Sequence, residues 1–298
     1  MDSPSQRVIV ITGASGGIGQ ATASRLAGPG TTLCLQAFQR IEMLEQKSEE
    51  YRKKGSRVFV FQADLSLPEA VCQFFEQVVQ TLEQERSRKP GLQLTGWINA
   101  AGVDLMSPEM KRKNFEQRLS VLMAVDVGAT VRLSRFAGSL FCSESNLPTS
   151  CSKDDLPVSN RGIFLNNDVL SDNNEVTGET VPTIINFGWD GVERGMEGET
   201  AQLYALAKGA VLAFSRSLAQ ELAPQVRVNT ISPGWIRTTW GEQSSQAARR
   251  RGCQESLAER WGTPQEVASV VRFLLSAESS YLNDQNLVLN GGFNYRRR

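Results

Sequence analysis

The chain has 298 residues, of which 40% are apolar and 21% charged, an ordinary composition for a globular protein of one large or two small domains. Its formal net charge is zero, so neither a nucleic acid nor an anionic membrane is predicted as a partner. It contains no histidine, which excludes imidazole bases, serine–histidine–aspartate triads and most zinc sites.

Short apolar runs alternate along the chain with longer amphipathic ones. Seven strands are predicted, at residues 7–12, 31–37, 57–62, 95–99, 182–188, 226–231 and 286–289. Helices are predicted at residues 17–28, 40–54, 67–86, 112–139, 199–223, about 243–257 and 264–276. This alternation predicts an α/β fold, a doubly wound parallel sheet of about seven strands with helices on both faces, in a single domain over residues 1–298.

Two segments depart from this alternation. Residues 143–180 are rich in Ser, Asn, Asp and Pro, and we interpret them as a polar surface insertion, with a lid as the alternative. Residues 235–262 contain the run Arg249–Arg251, which is typical of a solvated helix face. We expect this second segment to be a mobile substrate lid over the mouth of a pocket.

The five cysteines are scattered, with no metal-ligand spacing and no disulfide framework. They predict a reducing, cytoplasmic location and no metal site. No apolar run approaches the length of a membrane span, so no membrane partner is expected either.

A glycine-rich turn, Thr12–Gly19, directly follows the apolar run Val8–Ile11. Glycines allow the backbone to turn tightly and to approach a pyrophosphate closely, and the N-terminus of the following helix favours that anion. The glycine spacing at 13, 17 and 19 is not the G-x-G-x-x-G of most dinucleotide dehydrogenases. The turn nevertheless predicts a dinucleotide site.

Tyr204 and Lys208 lie four residues apart in a predicted helix, so they share one helix face. A nearby ammonium favours the phenolate, and the pair therefore predicts a tyrosine that transfers protons near neutral pH.

The spacing T-G-x-x-x-G-I-G resembles that of the short-chain dehydrogenase/reductase family, and the resemblance extends over about residues 6–295. Further motifs of that family occur in the expected order: Ala63–Leu65, Asn99–Gly102, the Tyr204/Lys208 pair, Ser232–Thr238, Gly262–Ala268 and Asn290–Gly292. The resemblance implies a Rossmann-type fold. It also implies a homodimer or homotetramer in which helices 112–139 and 199–223 pair across two-fold axes.

The resemblance implies a set of cofactor-binding residues that hold the adenine, the pyrophosphate and the nicotinamide. They are Gly13, Ser15, Gly17, Ile18, Gly19, Asp64, Leu65, Asn99, Ala100, Gly102, Tyr204, Lys208, Pro233, Gly234, Ile236 and Thr238.

The end of the second predicted strand favours NADP(H) over NAD(H). An acid there would accept hydrogen bonds from the ribose hydroxyls of NAD and repel a 2′-phosphate. No acid occurs between Gln36 and Arg40, and Arg40 itself is placed to pair with such a phosphate. The alternative is that Arg40 only begins a helix in solvent.

Two positions depart from the family pattern. The family has a serine after its fifth strand, but the matching stretch of this chain has none; Asp190 is the nearest polar candidate, and the simplest register places Trp189 there. Asp190 either holds the substrate, as in the pteridine reductases that this stretch resembles, or only turns the chain. The family also has an asparagine in its fourth long helix, where this chain has Asp126.

The preferred interpretation is an NADP(H)-dependent reductase that transfers hydride to a carbonyl or imine of a small molecule, with 3-oxoacyl and pterin types both open. The predicted catalytic residues are Tyr204, Lys208, Asp190 and Asp126. The alternative is a nucleotide-binding protein with little catalysis, acting as a sensor or an assembly subunit, because the serine is missing.

Overall fold

The strands of the chain form one parallel sheet in the computed structural model, which describes residues 6–142, 181–238 and 244–295. In this described part the sheet has seven strands, β1 (Arg7–Thr12), β2 (Thr31–Ala37), β3 (Arg57–Gln62), β4 (Gln93–Asn99), β5 (Thr183–Phe187), β6 (Arg227–Pro233) and β7 (Asn286–Leu289). Their order across the sheet is β3-β2-β1-β4-β5-β6-β7, and every neighbouring pair is parallel. The predicted α/β fold is therefore confirmed.

The helices cover both faces of this sheet. They are α1 (Gly17–Leu26), α2 (Ile41–Lys53), α3 (Pro68–Arg88), α4 (Pro108–Lys111), α5 (Phe115–Leu122), α6 (Thr130–Cys142), α7 (Glu199–Leu222), α8 (Gln246–Glu255) and α9 (Pro264–Leu274). A π-helical stretch, Met123–Ala129, joins α5 to α6, and a 3₁₀ turn, Ala277–Ser279, follows α9.

Two cores result from the alternation of side chains along each strand. In β1, Val8 and Val10 belong to the core shared with α3, α6 and α7, whereas Ile9 and Ile11 belong to the core shared with α1, α2 and α9. Successive residues of a strand point to opposite faces, so a fully buried strand carries apolar residues throughout. This is why the strands appear in the sequence as continuous apolar runs.

The strand order creates a crevice at the carboxyl ends of β1 and β4. The chain passes from β1 to β2 on one side and places β4 on the other, and ligands of open α/β sheets bind at such a switch point. The glycine-rich turn follows β1 and the loop Asn99–Gly102 follows β4, so both lie at this crevice. A Cβ on Gly13 would lie 2.6 Å from the Cα of Ala101, which shows how closely the two loops pack.

The element boundaries differ from the predicted ones in a few places. β4 begins at Gln93, and the predicted helix 112–139 is α5, the π-helical stretch and α6, with α4 before them. Tertiary contacts determine such boundaries, and a sequence pattern contains little information about them. The predicted insertion at 143–180 lies entirely outside the described residues. The predicted lid at 235–262 is described at residues 235–238 and from residue 244 onward.

The cysteines depart from the prediction. Cys72 is disulfide-bonded, whereas Cys34, Cys142 and Cys253 carry free thiols. The scatter of cysteines along the sequence gave no signal for this bond. Within residues 6–142, 181–238 and 244–295, no helix is both long and apolar enough to cross a membrane.

A Gly13→Ala substitution is expected to lower the free energy of unfolding by about 2–4 kcal/mol, because Gly13 has a φ of 63° and a Cβ there meets backbone atoms of the β4 loop. Gly28→Ala is the matched control, since a Cβ at Gly28 has no neighbour within 4 Å. Urea denaturation of both variants measures the difference. Equal stability of the two proteins would contradict this account of the packing.

Candidate active site

Helix α7 carries Tyr204 and Lys208, and its first turn is anchored to α5. Arg118 donates to the Glu199 carboxylate at 2.6 Å and to the Thr200 hydroxyl at 2.9 Å. This anchor fixes the end of α7 that lies one turn before Tyr204. The predicted helix is confirmed, and the two side chains share one face of it.

The Tyr204 hydroxyl donates a hydrogen bond of 2.7 Å to the backbone carbonyl of Val103, in the loop after β4. The indole of Trp189, in the loop after β5, also lies beside the phenol, with its ring centroid 6.1 Å from that of Tyr204. The phenol is therefore held between the ends of β4 and β5, next to the crevice.

Asp126 joins Lys208 to the same loop. Its Oδ1 lies 2.7 Å from the Lys208 ammonium as an ion pair, and its Oδ2 accepts a hydrogen bond of 2.8 Å from the Val103 N–H. The ion pair is close but not aligned as a hydrogen bond, so Oδ1 keeps unused acceptor capacity. The Asp126 carboxylate is 1% exposed, and the Cβ of an alanine at 102 would approach its Oδ1 to 3.1 Å.

Burial raises the pKa of Tyr204, and the negative charges of Asp126 and Asp104 raise it further. A backbone hydrogen bond from Leu105 acts in the opposite direction without reversing the shift. The neighbouring Lys208 predicted a lowered pKa for Tyr204, and this direction was wrong. Burial of the phenol is the largest cause of this difference, and the Asp126 carboxylate, which pairs with the Lys208 ammonium, adds to it.

The Asp190 side chain forms its hydrogen bonds with residues other than Tyr204. Its Oδ2 accepts hydrogen bonds from Arg194 at 2.5 Å and from the Asn290 amide at 3.0 Å. Arg194 also lies over the ring of Phe293, 3.6 Å from its centroid. Burial raises the pKa of Asp190, although Asn290 and Arg194 oppose this shift. These contacts favour the alternative that Asp190 orders the chain. Trp189, the residue before it, is the one whose ring lies beside Tyr204.

The predicted cofactor-binding residues share the carboxyl edge of the sheet. Gly13, Ser15, Gly17, Ile18 and Gly19 follow β1; Asp64 and Leu65 follow β3; Asn99 ends β4 and Ala100 and Gly102 follow it; Pro233 ends β6 and Gly234, Ile236 and Thr238 follow it. The structure thus brings these separate stretches of sequence to one edge.

The first turn of α1 is closely covered. A Cβ on Gly17 would lie 3.0 Å from the Thr238 side chain, and one on Gly19 would lie 2.3 Å from the Gly13 carbonyl. Side chains larger than hydrogen at these two positions would collide with Thr238 and with the turn itself, so the close packing requires glycines. Asp64 accepts hydrogen bonds from the Ser66 N–H and hydroxyl, which shapes the turn after β3.

The Asn99 side chain points away from the crevice. Its amide donates to the Ser134 hydroxyl and to Asn186, and its oxygen accepts from Trp97. The side chain is buried and its hydrogen bonds are used within the core. Any contact of Asn99 with a cofactor must therefore be made by its backbone.

Sequence reasoning missed Gln36. This residue is 2% exposed at the end of β2; its oxygen accepts from the Gly13 N–H at 2.9 Å and its amide donates to the Ala63 carbonyl at 2.8 Å. It ties the glycine-rich turn to the end of β3. A glutamine directly after the apolar run Leu33–Leu35 was the available signal. Arg40 is exposed at the start of α2.

Two family models match the chain on either side of residues 146–169. The model described as short chain dehydrogenase matches residues 7–145, and the one described as Enoyl-(Acyl carrier protein) reductase matches residues 170–294. The chain belongs to the short-chain dehydrogenase/reductase family. The family resemblance inferred from the motifs is thereby confirmed.

Curated relatives of this short-chain dehydrogenase/reductase align over almost its whole length. The short-chain reductase protein NovJ of Streptomyces niveus is 27% identical over 299 residues, with 96% of this chain and 94% of the relative covered. The 3-oxoacyl-(acyl-carrier-protein) reductase FabG of Aquifex aeolicus (strain VF5) is 25% identical over 293 residues, with 96% of each covered.

Solved structures show the same fold. A short chain dehydrogenase from Burkholderia cenocepacia J2315 in complex with NADP has a TM-score of 0.72 at 21% identity, and the match covers 97% of this chain and 98% of the other. A blue fluorescent protein from a metagenomic library in complex with NADPH has a TM-score of 0.72 at 22% identity, covering 98% and 99%.

Asp190→Ala is expected to lower the free energy of unfolding by about 1–3 kcal/mol, because it leaves the largely buried Arg194 without its partner. Hydrogen exchange should increase around Asn290 and Phe293, which Asp190 and Arg194 contact. Glu193→Ala is the control, since Glu193 is exposed and its ion pair with Arg216 is long, at 4.0 Å, and therefore weak. Unchanged stability and exchange in Asp190→Ala would contradict the structural role.

Proposed function

We propose that this short-chain dehydrogenase/reductase is an NADP(H)-dependent reductase of a carbonyl or imine group in a small molecule. The observation that carries the proposal is the joint placement of Tyr204 and Lys208 beside the crevice that the glycine-rich turn borders. A nicotinamide cofactor, when bound, would supply the hydride. The chain's own residues must then hold the nucleotide, orient the substrate and deliver a proton.

Tyr204 is the proton donor in this proposal. Its hydroxyl already forms a short hydrogen bond to Val103, so its position is fixed before a substrate arrives. The raised pKa keeps the phenol protonated at neutral pH. It transfers this proton to the oxygen or nitrogen of the substrate as negative charge develops there.

Lys208 keeps donors for a second partner. An ammonium has three N–H donors, and Asp126 occupies one side of it at 2.7 Å. The family resemblance implies that Lys208 holds the nicotinamide ribose. The geometry supports this role, because the Lys208–Asp126 pair restrains the side chain without exhausting its donors.

The NADP(H) preference rests on the end of β2. Gln36 is neutral there and both of its amide atoms are already used, so no carboxylate is present to repel a 2′-phosphate. Arg40 is exposed nearby at the start of α2 and is free to swing towards such a phosphate. The complexes of related folds with NADP and NADPH lend support.

A carbonyl is the favoured substrate group. NovJ and FabG are named as reductases, and FabG acts on 3-oxoacyl groups. Trp189 adds an aromatic wall beside Tyr204, which suits a flat or conjugated substrate. The expectation of a pterin-type substrate depended on Asp190 as a hydrogen-bond partner for a ring nitrogen. Because Asp190 is already hydrogen-bonded to Arg194 and Asn290, the structure gives this expectation less support.

A second candidate function is nucleotide binding with little catalysis. It is motivated by Trp189 and Asp190, which provide no hydroxyl where the family has a serine, and by the Tyr204 proton that is directed at Val103. A turnover screen against ketones, 3-oxoacyl thioesters and pterins, run beside nucleotide titrations, separates the two. Tight NADPH binding without turnover of any of these would favour the sensor or assembly role.

A homodimer or homotetramer is part of the proposal. Phe115 on α5 and Leu206 on α7 are 39% and 52% exposed, and these helices are the ones that the family resemblance predicts to pair. Sedimentation velocity at micromolar concentration tests this oligomeric state.

A cytoplasmic location is retained as a proposal, although a disulfide bond such as that of Cys72 is uncommon in a reducing compartment.

The protein is expected to bind NADPH at least about tenfold more tightly than NADH, and Arg40→Ala should weaken NADPH binding by about 1–3 kcal/mol with little effect on NADH. Lys47→Ala removes a positive charge from the same helix and is the matched control. Fluorescence titration of both nucleotides measures the constants. Tighter binding of NADH by the unmodified protein would refute the preference.

Tyr204→Phe is expected to abolish turnover, by a factor of about 10² or more, while NADPH binding changes by less than about threefold. The proton is needed only as charge develops on the substrate, whereas the cofactor contacts precede that step. Lys208→Ala should impair both binding and turnover. Undiminished turnover in Tyr204→Phe would remove the tyrosine from the mechanism.

A further inference from the structure

The loop that follows β5 holds the backbone of Trp189 in one position. The Gly188 N–H, just before it, donates a hydrogen bond of 2.9 Å to the Ile231 carbonyl of β6. The Asp190 N–H, just after it, donates one of 3.3 Å to the Pro233 carbonyl at the end of the same strand. The backbone of Trp189 is therefore restrained on both sides by β6.

The indole of Trp189 packs directly on the backbone of Gly191. A Cβ built at Gly191 would lie 2.4 Å from Cζ2, 2.5 Å from Cη2 and 2.7 Å from Cε2 of that indole. Only a glycine therefore leaves room for the ring in this position. The Val192 N–H closes the turn by donating to the Trp189 carbonyl at 3.2 Å. The side chain is thus held in place before any substrate arrives.

The ring pair of Trp189 and Tyr204 restricts where a substrate can lie. The two ring centroids are 6.1 Å apart and the ring planes are tilted by 52°. A ring inserted between two others needs about 7 Å, twice the carbon–carbon contact distance of about 3.5 Å. A substrate whose carbonyl reaches the Tyr204 hydroxyl must therefore lie beside the pair. There it meets the part of the half-buried indole that Gly191 and Tyr204 leave uncovered.

The charged side chains near this place already have partners. Lys208 is paired with Asp126, and Asp190 is paired with Arg194. Tyr204 itself packs against an apolar cluster. A charged group on the substrate would lose its water here without gaining a free counter-ion, and that loss is unfavourable. The surroundings of the phenol therefore suit a neutral, apolar substrate.

An indole surface favours a flat ring over a saturated one. Two aromatic rings attract each other through their quadrupoles in addition to the apolar area that they bury. In a ketone conjugated with an aromatic ring, the carbonyl lies in the plane of that ring. A ring packed on Trp189 therefore fixes the plane of its carbonyl beside the Tyr204 hydroxyl.

We propose that Trp189 is a specificity-determining residue that selects ketones conjugated with an aromatic ring. This inference rests on the proposed function, because it concerns the substrate of the same site, and it names a substrate class for that site. The indole recognises the substrate by its aromatic surface, where the loop after β5 directs no charged side chain at Tyr204.

Acetophenone and cyclohexyl methyl ketone are the matched pair of substrates that tests this selection. Both carry an acetyl group on a six-carbon ring, and only in acetophenone is that ring flat and conjugated. The ratio of the two kcat/KM values is compared between proteins, so that the intrinsic reactivities of the ketones cancel. The proteins are wild type, Trp189→Leu, Trp189→Phe, Gly191→Ala and Tyr281→Leu.

In Trp189→Leu we expect the kcat/KM ratio of acetophenone to cyclohexyl methyl ketone to fall by about two- to tenfold, the scale of one aromatic pair. Trp189→Phe keeps an aromatic surface and should retain the ratio to within about twofold. Gly191→Ala should lower it, because the new Cβ displaces the indole.

Tyr281→Leu is the control, since this exposed residue precedes β7 and therefore lies at the opposite edge of the sheet. It should leave the ratio unchanged. An unchanged ratio in Trp189→Leu, or an equal fall in Trp189→Phe or in Tyr281→Leu, would overturn the proposal.

A binding measurement on the wild-type protein needs no variant and separates this inference from the proposed function. With NADP⁺ present the ketones are not reduced, and ligand-observed NMR gives the dissociation constant of each. We expect acetophenone to bind at least about threefold more tightly than cyclohexyl methyl ketone. Equal binding of the two, or binding of neither, would overturn the proposal. Preferential binding of acetophenone without turnover of any carbonyl would support the selection by Trp189 and count against the proposed function alone.

Discussion

The buried ion pair between Asp126 and Lys208 is the interaction on which the rest of the site depends. A charge that is removed from water is stable only when it is paired and hydrogen-bonded, and each of these two groups provides the partner of the other. Through Val103, the same carboxylate also positions the carbonyl that holds Tyr204. Burial and the Asp126 carboxylate both raise the pKa of this phenol, although an ammonium lies one helical turn away.

The sheet determines where this pair lies. The strand order places the ends of β1 and β4 at the switch point, so the glycine-rich turn and the loop carrying Val103 border one crevice. Helix α7 reaches the same edge because Arg118 anchors its first turn to α5. The proposed proton donor and the surface proposed for the nucleotide are thus neighbours as a consequence of topology. Gln36 extends this arrangement by tying the turn to the end of β3.

Much of the fold and part of the site were predictable from the sequence. Continuous apolar runs specify buried parallel strands, and the glycine spacing and the Tyr204/Lys208 pair are local patterns whose geometry follows from a turn and a helix. The partners of side chains were not predictable. The spacing shows that Lys208 shares a helix face with Tyr204, but it does not show that Asp126 forms an ion pair with the Lys208 ammonium. In the same way, only the fold reveals that Asp190 turns to Arg194 and Asn290.

The most direct test of the account is a crystal structure of the protein with NADPH. We expect the pyrophosphate on the turn Gly13–Gly19, and the Lys208 ammonium bonded to the nicotinamide ribose while it keeps its contact with Asp126. The Tyr204 hydroxyl should face the substrate side of the nicotinamide. A nucleotide bound away from the glycine-rich turn, or a Lys208 that leaves Asp126 to reach it, would contradict the account.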